Sequence, residues 1–132
     1  MAELSERDIE LLRGPENYGA LVTINPDGSP QASITWIDAA DGLVLLNTAR
    51  GRIKDRNLRA NPSVAVLVSE EGDAYRWISI NGEVVDTIGE PEALEHIDAL
   101  SRRYDGEPWT PVAGQERVIF KIRPTHIYRY KG

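Results

Sequence analysis

The chain has 132 residues, 41% of them hydrophobic and 27% charged, with a formal net charge of −6 and a pI near 4.9. That size fits one domain, residues 1–132, with a sizeable core, and the acidity argues against general binding to nucleic acid or an anionic membrane, which ask for a basic surface. The absence of cysteine excludes disulfides, thiolate metal sites and cysteine nucleophiles, and is compatible with a reducing cytoplasm.

The first residues, MAELSERDIELLRG, are charged throughout and lack the apolar centre of a signal peptide. No apolar run in the chain is long enough to span a bilayer, so the expectation is a soluble, cytoplasmic protein. Ser5 followed by Asp8 reads as a capping box that opens a short helix, with Ile9 and Leu12 inward and Gly14-Pro15 as its stop. The period then changes. ALVTIN (20–25) and PQASITWI (30–37) flank an Asp27-Gly28 turn, a hairpin signal, and Asp41-Gly42 is a second such turn before LVLLNT (43–48).

Residues 48–62, TARGRIKDRNLRANP, read as a helix of about three turns that begins near Gly51 and ends at Asn61-Pro62. VAVLVS (64–69) is a buried-type strand. YRWISINGEVVDTI (75–88) is a long one, with Gly82 at its middle predicting a bulge or a close backbone approach. Ala93, Leu94, Ile97, Leu100 and Tyr104 recur at helical spacing over Glu90–Tyr104. After the loop DGEPWTPVAG, ERVIFKI and THIYRY read as two closing strands. The sum is mainly β: six or seven antiparallel strands and three helices, a pattern that favours a closed or nearly closed barrel because closure removes edges.

Several familiar chemistries find no support. His96 and His126 are thirty residues apart, and neither has a second metal ligand at useful spacing. His96 sits beside Glu95 on a polar helix face, which reads as plain solvation. His126 alternates with Ile127 on the last strand, a position that suits a structural role ahead of a contact with a partner or pocket. No Gly-x-Ser-x-Gly elbow exists, and the carboxylate pairs fall in turns and helix starts, where negative charge is expected.

The basic run stands out. Arg50, Arg52, Lys54, Arg56 and Arg59 face one acid, Asp55, so this stretch carries +4 and the remainder of the chain −10. A helix start offers free N–H groups and the positive end of the dipole, and Thr48 adds a hydroxyl. Arg52 and Lys54 in the first turn are unfavourable beside that dipole unless a bound anion such as phosphate compensates both. The competing reading is a solvated amphipathic helix with Ile53, Asn57 and Ala60 inward. Charge alone does not choose between the two. The aromatics add that Trp36, on the second strand, and Tyr75 and Trp77, alternating on one face of the long strand, suit a planar ring as well as a packed core. Trp109 fits a lid or an interface anchor.

The order GALVTINPDGSPQASITWI, LVLLNTARGRIKDRNLRANPSVAVLV, RWISINGEVV resembles the pyridoxamine 5′-phosphate oxidase-like split β-barrel proteins, and among them the actinobacterial group that uses the deazaflavin coenzyme F420. HIDALSRRYDG and ERVIFKIRPTHIY extend the likeness to roughly residues 18–130. The resemblance implies a six-stranded antiparallel split barrel acting as a homodimer with two cofactor sites at the subunit interface. It implies a cofactor phosphate held at Arg52 and Lys54 with help from Asn47, Thr48 and Ala49. The ring would lie along Ser33, Thr35 and Trp36, with Tyr75 and Trp77 supplied by the other subunit. It further implies hydride transfer to an electron-poor acceptor such as an enone or quinone, with no catalytic side chain assigned. FMN is the alternative cofactor, since it too carries a phosphate after a ribityl chain, and a non-catalytic flavin, deazaflavin or tetrapyrrole-binding module is the alternative role. The uncharged strand QASITWI and the ending IYRYKG depart from oxidases of pyridoxamine phosphate and argue against that reaction.

Overall fold

The computed structural model describes residues 2–130. Ser5 caps the first helix, α1 (Glu6–Leu12): the Asp8 amide donates to its hydroxyl at 3.1 Å while the Ser5 amide donates to the Asp8 carboxylate at 2.8 Å. Asp8 in place of Glu closes the box. The helix buries Asp8, Leu11 and Leu12, with Ile9 at their margin.

Strands β1 (Gly19–Ile24) and β2 (Pro30–Thr35) pair across the Asp27-Gly28 turn, where Gly28 has φ +87°. A three-residue strand that the sequence reading did not separate, β3 (Asp38–Ala40), pairs with β4 (Leu43–Ala49). Its turn has positive φ at both Asp41 and Gly42, as a tight hairpin of this hand requires. Then follow α2 (Ile53–Ala60), β5 (Ser63–Glu70), β6 (Asp73–Ile88), α3 (Glu92–Asp105) and β7 (Arg117–Arg129).

All seven strands join one antiparallel sheet in the order β2-β1-β5-β6-β7-β4-β3. The sheet's two ends, β2 and β3, are separated in sequence only by Trp36 and Ile37, so the sheet must curl back on itself. The ladder stays open between them, which makes the barrel split. Alternate residues Val64, Val66 and Val68 of β5 and Ile78 and Ile80 of β6 fill its interior with Leu21, Leu46, Phe120 and Ile122. Strand β4 is buried on both faces, Val44 and Leu46 in this core and Leu45 with Ala93 and Ile119 under α3.

Two expectations change. The closing segment is one bulged strand, β7, rather than two. And α2 is a helix of eight residues whose buried face is Asp55, Asn57 and Leu58; Ile53 and Ala60, inward in the competing amphipathic reading, are exposed. No helix is long and apolar enough to cross a membrane among the described residues.

Candidate functional site

Strand β4 delivers the chain to α2, where Arg52 forms the N-cap. Among the described residues no side chain caps this helix start, so its first N–H groups keep their capacity. The basic run divides here. Arg59 donates to the buried carboxylate of Asp55 at 2.8 Å, and Arg50 lies 3.7 Å from Asp55 and 3.8 Å from Glu116. Arg56 faces outward. Arg52 and Lys54 instead line a groove of about 280 Å³ together with Arg117, the first residue of β7. Register explains the third cation: Arg117 stands opposite Ala49 in the β4–β7 ladder, one step from Thr48.

Among the described residues none of these three cations has an ion pair. Burial lowers the Lys54 pKa, and the charges of Arg52 and Arg117 lower it further. Burial, then the Arg52 charge, bring Arg117 down to about 10, against a smaller upward pull from Glu90. Three like charges around one hollow destabilise each other unless an anion joins them. Two buried polar atoms in the same groove also lack a hydrogen-bond partner among the described residues: the Thr48 hydroxyl and the Trp109 indole nitrogen. Unsatisfied buried donors are uncommon enough to ask for a ligand.

One wall of the groove is aromatic. Trp36 stacks on Tyr104 with ring centroids 5.4 Å apart and 3° between planes, and Trp109 meets Trp36 edge-on at 6.3 Å. The Arg117 guanidinium lies 5.1 Å from the Trp109 ring. Tyr104 is itself anchored, donating to the Asn17 carbonyl at 2.7 Å. A larger hollow near the N-terminus is less suited to an anion, because its one basic side chain among the described residues, Arg123, is paired with Glu83.

Of the residues expected at the site, Thr35, Trp36, Asn47, Thr48, Arg52 and Lys54 line the groove. Ser33 lies two residues along β2 from Thr35, half-buried, and Ala49 is buried without lining the groove. Tyr75 and Trp77 are elsewhere in the chain, gathered around Tyr130 at 5.9 Å each. Arg117, Tyr18, Ile34 and Ile97 complete the lining unforeseen. Arg117 is a basic residue opening a strand, with no local signal, and only its pairing with β4 brings it here. His96 is a correction: its side chain is 12% exposed and bonded to Asp38 and Asn47, so it is not a solvated residue. His126 is exposed and stacks on Tyr128.

The model of the family described as pyridoxamine 5′-phosphate oxidase matches residues 7–131. The chain belongs to that family. Among solved structures, one described as an F420 reductase has a TM-score of 0.80 and 35% identity, over 90% of this chain and 94% of that one. A conserved hypothetical protein from Mycobacterium tuberculosis gives 0.75 and 28%, over 98% of this chain and 88% of its own. General stress protein 26 from Bacillus anthracis gives 0.67 and 22%, over 91% and 88%, a likeness of fold alone. The family's split barrel is thus the architecture described above, with seven strands.

Proposed function

We propose that the groove binds the phosphate and ring of the deazaflavin coenzyme F420, and that the protein is an oxidoreductase acting on an electron-poor small organic acceptor, an enone or quinone. The observation that carries this reading is the convergence of three unpaired cations and an unpartnered Thr48 hydroxyl at the foot of an aromatic wall. The donor set fits a phosphate tail, and the 35% likeness to an F420 reductase favours the deazaflavin over FMN.

The chain's residues divide the work. Arg52 and Arg117 supply directed donors and Lys54 a mobile charge for the phosphate. Thr48 and the free N–H groups of α2 add neutral donors. Ser33, Thr35 and Trp36 give the ring a strand to lie along, with Tyr104 bracing Trp36 from behind. Trp109 restricts water at the phosphate end. Tyr75 and Trp77 of a second copy complete the site across a homodimer interface. When bound, the reduced cofactor supplies the hydride, and the protein orients it.

Titration of the purified protein with F420 and with FMN, followed by ring absorbance and fluorescence, tests the reading. Micromolar binding of F420, tighter than FMN, is expected; FMN binding more tightly would move the protein to flavin chemistry, and binding of neither would refute the site. Arg52→Ala and Lys54→Ala are each expected to weaken binding by ~1.5–3 kcal/mol, the size of a charge-assisted hydrogen bond. Unchanged affinity in both returns these residues to a solvated face. Turnover of a quinone or enone panel by the reduced complex separates an enzyme from a carrier, which would bind without turnover.

A further inference from the structure

Arg117 is buried, and its Nε donates to the side-chain oxygen of Asn47 at 3.0 Å. The Asn47 amide nitrogen donates to the Ala93 carbonyl at 2.8 Å and lies 3.1 Å from His96 Nδ1. These partners permit one amide orientation. A flipped amide would set oxygen against the Ala93 carbonyl and N–H against the Arg117 N–H, two repulsive contacts. With both Asn47 protons pointing at acceptors, His96 Nδ1 must be bare. Its other nitrogen, Nε2, then carries the proton and donates to Asp38 at 2.9 Å. Asp38 is held in turn by Arg103 at 2.6 Å and Arg13 at 3.3 Å, and accepts from the Ala39 amide at 2.9 Å. Asp38 on β3, Arg103 on α3 and Arg13 after α1 are the charged groups of this chain of contacts on the side away from the groove.

From this arrangement we propose that His96 is a positioning residue: its tautomer, set by Asp38, orients the Asn47 amide, and that amide holds Arg117 in the anion site. The proposal rests on the reading of the groove as an anion site and is indifferent to which ring the anion carries. Three side chains from β3, α3 and β4 act in series behind Arg117 of β7, an outer shell that aims a cation it does not itself supply. Position 96 lies on α3 between the buried residues Ala93 and Ile97, where an apolar side chain would satisfy packing alone. A histidine there is explained by the acceptor that Asn47 needs.

Gln at position 96 offers the same order of groups, an oxygen acceptor for Asn47 and an N–H for Asp38. Leu offers neither. Calorimetric titration with inorganic phosphate is expected to give affinity near wild type for His96→Gln and a roughly three- to tenfold loss for His96→Leu. In an Arg117→Met background, His96→Leu should cost nothing further, because its effect runs through Arg117. An equal loss in both backgrounds, or a change of less than about twofold in the first, would overturn the proposal. So would a wild-type protein that does not bind phosphate. Nitrogen-15 NMR of the ligand-free wild type supplies a readout that survives if His96→Leu fails to fold: Nδ1 unprotonated and Nε2 protonated are expected, and the opposite tautomer contradicts the relay. A protein that passes these tests yet binds neither F420 nor FMN would refute the cofactor reading while leaving the positioning role intact.

Discussion

Asp38 shows how much a single carboxylate organises in this protein. Burial would raise its pKa, but hydrogen bonds from His96 and Arg103 and the Arg103 charge outweigh that and bring it from 3.8 to about 2. The native pKa therefore lies below the unfolded one, so the unfolded chain takes the proton first and falling pH favours unfolding. The stabilisation is complete above the unfolded value and disappears as pH falls through about 2. A shift of this size corresponds to ~2 kcal/mol. Asp38→Asn should accordingly lower stability by about that amount near neutral pH in urea unfolding, with the gap to wild type closing as pH falls through the window between these two values. A gap of constant size down to the lowest pH would show that Asp38 acts through packing rather than charge. Lys54 and Arg117 present the opposite case, cations whose pKa values are lowered first by burial and then by neighbouring positive charge, that of Arg52 in both.

At the scale of elements, the long β6–β7 pair explains how a sheet bends into a barrel. Asn81 pairs with His126 and Gly82 with Pro124, leaving Thr125 as an extra residue, and its hydroxyl donates to the Asn81 carbonyl at 3.0 Å. Proline, with no N–H to give, is tolerated at such a bulge. A Cβ on Gly82 would sit 2.7 Å from both the Arg123 carbonyl oxygen and a methyl of Ile122. Gly82→Ala is therefore expected to destabilise the protein by ~1–3 kcal/mol in denaturant unfolding, the usual cost of overpacking against backbone. A neutral result would mean the bulge shifts freely. Gly82 is also where local sequence reading succeeded, because a glycine inside an alternating strand has few other uses. The Asp-Gly hairpins and the Ser5 cap were equally legible, each being a local device. Three residues of β3 are too few to show a period, and Pro124 disguised one bulged strand as two. The amphipathic reading of α2 places Asn57 inward, as found, but not Asp55, which is buried by partners the sequence does not display: Arg50, Arg59 and the Gly51 amide. At the candidate groove, Arg52, Lys54 and Thr48 were visible as a contiguous stretch. Arg117 and His96 were not: Arg117 reaches the groove across the β4–β7 ladder, and His96, on α3, meets it only through Asn47.

Across the whole molecule, cross-strand register aligns Ile34, Ala20, Leu67, Ser79 and Tyr128 in one row over five strands. The row faces away from the core, since the neighbours Val66, Val68, Ile78 and Ile80 point inward. Ile34 is 68% exposed, Leu67 46% and Tyr128 54%, and Tyr75 on the same face of β6 is 69% exposed. Trp77 lies between Tyr75 and Ser79 on that face. An apolar strip of this length on an otherwise acidic protein is the kind of surface that a partner covers. Ile34 also lines the cation groove, so the strip runs to the groove's edge. A second copy seated on the strip would bring its Tyr75 and Trp77 toward a site that one protomer leaves open. Leu67→Glu places a charge at the centre of the row, outside the lining of the cation groove. It should convert a dimer to a monomer in sedimentation velocity and weaken F420 binding in the same preparation, by withdrawing the second copy's aromatics. If the wild type sediments as a monomer, or if the variant becomes monomeric while keeping full affinity, the groove is complete within one chain and Tyr75 and Trp77 have no part in it.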